Sequence, residues 1–115
     1  MHKNWPEMAG ELNPLVSALR TAQPDVMKGF SQMAQAALKT EALDTKTKEL
    51  IALAISVAVR CDACITYHAK AAVKQGASDQ EIAETMGMAI YMGAGPSVMY
   101  AAQALEAAAQ WRQEG

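Results

Sequence analysis

The sequence predicts an all-α fold, a single-domain antiparallel bundle of about six helices spanning residues 1–115, and three observations support it. The apolar volume comes from Ala, Leu, Ile, Val and eight Met, against one Phe, three Tyr and two Trp. Ala, Leu and Met lose little side-chain freedom in a helix, and aromatic strand formers are scarce. Apolar residues recur three and four positions apart in successive segments, and residues that start or stop helices separate those segments.

The first helix falls within residues 1–23, where Leu12, Leu15, Val16 and Leu19 share a helical spacing. Pro24 breaks the chain before a second short helix carrying Val26, Phe30, Met33 and Leu38. Lys39–Asp44 reads as a connection, with Asp44 placed to accept from the free N–H groups of a third helix, Thr45 to about Val59. A joint around Arg60–Asp62 leads into a fourth helix that runs to Gln75, and Gly76 is suited to a left-handed stop. Ser78 with Glu81 forms a capping box opening a fifth helix with Ile82, Met86, Ala89 and Ile90 on one side. Gly93–Gly95 ends that helix, and Pro96 opens a sixth, with Gln103, Glu106, Gln110 and Gln113 on one polar strip.

The net charge of −2 leaves no basic surplus to neutralise a phosphate backbone, so nucleic acid is not expected as a partner. The longest apolar stretch, Leu50–Val59, is about half the ~18 residues a membrane span needs. It reads as a buried helix. The first residues, MHKNWPEMAGELNP, lack an apolar signal core, so a cytoplasmic location is expected. Two cysteines in a reducing compartment point to redox or metal chemistry rather than a structural staple. Helices three, five and six are apolar around more than one face, and burying that surface between subunits predicts a homo-oligomer.

The segment bearing chemistry runs from Glu49 to His68 and holds the pair Cys61 and Cys64. On a helix Cys61 and Cys64 lie ~60° apart and His68 falls ~20° from Cys61, so all three share a face. Cys64 and His68 are an i, i+4 pair, close enough for the imidazole to exchange a proton with the thiol. Both thiols sit at a helix start, where unpaired N–H groups favour an anion and so ease thiolate formation. Their spacing lets them close into a disulfide. Glu49 opens a helix that is then apolar for ten residues apart from Ser56, which predicts a partly buried carboxylate able to hold or relay a proton.

Glu, eleven residues, Cys, two residues, Cys, three residues, His resembles the motif of the alkylhydroperoxidase D-like proteins of the carboxymuconolactone decarboxylase superfamily. The likeness rests on Glu49, Cys61, Cys64 and His68, and the helical order over about 44–111 is similar to the family's core. It implies assembly into homotrimers or homohexamers and a thiol-dependent peroxidase or disulfide reductase. Cys64 would attack a small peroxide, Cys61 would resolve the sulfenic acid, and His68 and Glu49 would relay protons. No bound cofactor is implied; the reductant would be an external dithiol, such as a lipoyl group on a carrier protein. Ala63 stands where the best-known alkylhydroperoxidase has a second His, which thins the relay. Decarboxylase members generally work without the cysteine pair, which makes a carboxymuconolactone decarboxylase-type enzyme a secondary expectation.

Other residues have plainer readings. Cys61, Cys64, His68 and Glu49 also form a zinc set by ligand type, so a metal-binding or redox-sensing accessory protein is the non-catalytic alternative. A c-type haem would need His where Ile65 stands. His2 is expected in solvent. Tyr67, Tyr91 and the methionines, Met86, Met88, Met92 and Met99 among them, are assigned to packing, with Met filling core or interface.

Overall fold

The computed structural model describes residues 1–115 as five helices and no strands. Helix α1, Trp5–Ala22, starts at Asn4, whose side chain accepts from the Glu7 N–H, and α2, Pro24–Leu38, starts on its own proline. In α3, Thr45–Ala58, the Asp44 carboxylate caps the Thr47 N–H at 2.8 Å, as its position predicts.

The joint between α3 and α4, Asp62–Lys74, has a specific form. Arg60 adopts the left-handed conformation, its N–H donates to the Val57 carbonyl, and the Cys61 N–H reaches back to the Ser56 carbonyl at 3.0 Å. This is a Schellman ending, and it delivers Cys61 directly to the start of α4. The same device closes α4: Gly76 has φ +87°, and the Ala77 N–H donates to the Ala72 carbonyl. Only there is the left-handed residue a glycine, which adopts that conformation without strain because it lacks a Cβ.

The predicted fifth and sixth helices form one element, α5, Asp79–Glu114, opened by the Ser78–Glu81 capping box and broken at a single residue, Ala94 (φ 54°, ψ −141°). Sequence reasoning expects a turn across Gly93–Gly95; the interruption is shorter, so the helix resumes almost at once and five elements replace six. Gly93 is required for close approach, because a Cβ there would collide with the Ser97 hydroxyl, which is buried against it.

Helices α3, α4 and α5 pack on one another, α1 lies on α4 and α5, and α2 touches only α1 and α3. The core is drawn from Leu53 and Val57 of α3, Ile65, Ala69 and Ala72 of α4, and Ile82, Met86, Ala104 and Ala107 of α5. Alanines let the helix backbones approach closely where α4 meets the second half of α5. From α1 the core receives Trp5 and Ala9, while Leu15 and Leu19 of the predicted stripe are exposed. No residue of α2 is fully buried, and Val26, Phe30 and Met33 face outward.

Candidate active site

Cys61 is the N-cap of α4 and Cys64 lies in its first turn, so the sulfur of Cys61 takes the place of a capping oxygen: the Cys64 N–H points at Cys61 Sγ at 3.2 Å. The two cysteines are joined as a disulfide with a Cα–Cα separation of 5.2 Å, within the ordinary span for such a bond. Both are partly accessible rather than sealed in the interior, as a pair that exchanges electrons with outside molecules must be.

His68 follows Cys64 by one turn and Glu49 comes from α3. The Glu49 carboxylate meets His68 Nδ1 at 2.8 Å. Glu49 lies a full turn into α3, deeper than the first-turn position read from the sequence, and its side chain is only 8% exposed against 34% for His68. The carboxylate therefore fixes the imidazole through Nδ1 and leaves Nε2 as the edge free for proton transfer. The family resemblance implies proton-relay roles for both His68 and Glu49, and the structure joins the two into one hydrogen-bonded unit.

His68 also lines an apolar groove of about 350 Å³ between α2 and α3, walled by Ala34, Ala37, Leu38, Ile51, Ala52 and Ile55, with Lys48 at its edge. A second hollow, of about 460 Å³ beside Lys70 and Trp111, holds none of the four candidate residues. With Cys61 and Cys64 joined to each other, no three His, Cys, Asp or Glu side chains converge as a metal-binding group.

Several supporting residues escaped the sequence reading. Thr66, wholly buried on the opposite side of α4, donates to the Trp5 carbonyl at 2.8 Å and accepts from Trp111 Nε1 at 3.2 Å, anchoring the helix that carries the cysteines. The Tyr67 hydroxyl lies 2.5 Å from Asn13 Oδ1 and 3.2 Å from the Ala9 carbonyl, tying α1 to α4, whereas Tyr91 is exposed. The only signal in the sequence is the position of a Thr between Cys64 and His68. Met86 is core, but Met88, Met92 and Met99 are exposed on the single chain.

The end of the chain is also held. The Glu106 carboxylate accepts from the N–H groups of His2 and Lys3 and from Trp5 Nε1, at 2.6, 3.0 and 2.9 Å. Burial works to raise the Glu106 pKa, but these donations outweigh it and hold the carboxyl below its usual range. No helix is long and apolar enough to cross a membrane.

The chain is similar in sequence and fold to known proteins. Residues 24–107 match the carboxymuconolactone decarboxylase family. The crystal structure of an apo family member from Legionella pneumophila is 48% identical, with a TM-score of 0.91 over 93% of this chain and 96% of that one. A family member from Thermotoga maritima, for which involvement in an antioxidative response has been suggested, is 35% identical, with a TM-score of 0.71 over 76% of this chain and 91% of that one. An uncharacterised protein of Cupriavidus necator is 39% identical over 95 residues, 83% of this chain and 84% of its own length.

Proposed function

Since the chain belongs to the carboxymuconolactone decarboxylase family, we propose that it is a thiol-dependent peroxidase that reduces alkyl hydroperoxides with the Cys61–Cys64 pair. The observation that carries this reading is the buried Glu49 carboxylate bonded to His68 one turn beyond Cys64, a proton-handling pair beside a redox-active one. The antioxidative role suggested for the Thermotoga maritima relative points the same way.

In the cycle His68 Nε2 takes the Cys64 proton, and the thiolate attacks the terminal peroxide oxygen. The O–O bond breaks, Cys64 becomes a sulfenic acid, and the alkoxide leaves as an alcohol on receiving a proton from His68. Cys61 then attacks the Cys64 sulfur; a disulfide forms and the hydroxyl departs as water. A dithiol restores both thiols and is itself oxidised to a disulfide. The apolar groove beside His68 suits the alkyl part of the peroxide. Cys64 is given the attacking role because His68 follows it by one turn of α4, and Cys61 the resolving role because its sulfur bonds to that of Cys64.

The same proposal extends to assembly and location. Exposed Phe30 and Met33 on α2, and Met92 and Met99 on α5, are apolar surface that a homotrimer or homohexamer would cover. A reducing cytoplasm would keep the pair cycling rather than permanently oxidised.

The test is peroxide consumption with a dithiol donor. Wild type should turn over cumene hydroperoxide, Cys64→Ser should lose activity, and Cys61→Ser should stop at a trapped sulfenic acid or mixed disulfide. Equal rates for wild type and Cys64→Ser would reject the reading.

A further inference from the structure

Residues 2–5 are strapped across the far half of α5. Besides the three donations to Glu106, the Gln110 side-chain amide accepts the Trp5 N–H and donates to the Lys3 carbonyl, both at 2.7 Å. Trp5 is fully buried, and Thr66 of α4 holds its carbonyl. From this strap Lys3 extends its ammonium over the Trp5 ring, 5.3 Å from the centroid, to the Asp62 carboxylate at 2.5 Å. Asp62 is the residue directly after Cys61 and two before Cys64. Both side chains are about one-third exposed, 29% for Lys3 and 37% for Asp62.

We infer that Lys3 is a positioning residue for the cysteine pair: by holding and neutralising Asp62 it removes a like charge from beside the thiolate that the reduced pair must form. An unpaired carboxylate on the residue next to Cys61 would stand at a separation comparable with the ~8 Å Debye length of physiological salt, so solvent ions would screen it only in part. It would oppose the anion that the start of α4 favours. The other charges nearby leave this task to Lys3. Arg60 is exposed before Cys61, His68 is taken by Glu49, and Glu106 is occupied by the strap. The terminal segment thus acts on the site through Asp62 without touching substrate.

The inference rests on the thiol chemistry proposed above but not on peroxide being the oxidant, so its test omits peroxide. The full chain is reduced, and iodoacetamide alkylation and thiolate absorbance are followed across pH. Lys3→Met should slow alkylation at neutral pH about three- to tenfold, the change that half to one pKa unit brings. Lys3→Arg should keep the wild-type profile, and adding Asp62→Asn to Lys3→Met should restore most of the loss. An unchanged profile in Lys3→Met overturns the inference. Glu106→Gln loosens the strap that carries Lys3, so it should move the profile in the same direction as Lys3→Met and add nothing further in the Lys3→Met background; a further displacement there would show the strap acting by packing and not through the Lys3 charge, and would overturn the inference. A displaced profile in Lys3→Met together with no peroxide turnover in wild type would reject the peroxidase reading and leave the role of Lys3 standing.

Discussion

Glu49 and His68, nineteen residues apart on α3 and α4, share a 2.8 Å hydrogen bond through Nδ1, and the carboxylate that makes it is buried while the imidazole is part-exposed. A buried carboxylate with one imidazole partner orients that ring. It costs stability to bury and is therefore better explained by chemistry than by packing.

Glu49→Gln keeps the shape and removes the charge. Peroxide turnover should fall ~10²-fold or more, the scale of general acid–base catalysis, with helix content unchanged by circular dichroism. A variant with wild-type turnover would remove Glu49 from the mechanism.

Gly93 lies against Ser97 across the break at Ala94. Gly93→Ala should destabilise the fold by about 1–3 kcal/mol in urea unfolding, as overpacking of a filled site does, because its Cβ meets the Ser97 hydroxyl. Adding Ser97→Ala should recover part of the loss; simple additivity of the two changes would show that this contact is not the cause.

Much of this was legible beforehand, and the reasons are local. The Asp44 cap, the Ser78–Glu81 box and the Gly76 stop are each settled within five residues of chain. What escaped depends on the packing of distant segments. The Glu49–His68 bond needs α3 set against α4. The polar strip of α5 proved to be the dock for residues 2–5, which no periodicity reveals, since the donors are backbone N–H groups of the other end of the chain. The α1 stripe misled for a related reason: Leu15 and Leu19 have helical spacing, but Trp5 and Ala9 take the core contacts.

Acid should release the strap. The Glu106 carboxyl is held below its usual range, so its contribution is complete above the unfolded value near ~4.3 and is lost as pH falls through the lower folded value. Glu81, lowered mainly by its hydrogen bond with Lys46, and Asp44, lowered mainly by Thr47, act in the same direction. Trp fluorescence should therefore report exposure of Trp5 only below the ordinary carboxyl range. Glu106→Gln should weaken docking at neutral pH and blunt the acid response; an unaltered acid transition would contradict this assignment.

Phe30→Glu with Met33→Lys places opposite charges on the exposed face of α2. If that face is covered by another subunit, light scattering should show a smaller assembly with helix content retained. An unaltered mass would place the interface elsewhere.

The most direct trial of the whole account is a free-thiol count and intact mass on the reduced protein before and after one equivalent of an organic hydroperoxide. The expected result is loss of both thiols, a mass lower by two hydrogen atoms within one chain, and one molecule of alcohol released per disulfide formed. Thiols that survive the peroxide, or a mass that rises by added oxygen without closing Cys61 onto Cys64, would contradict it.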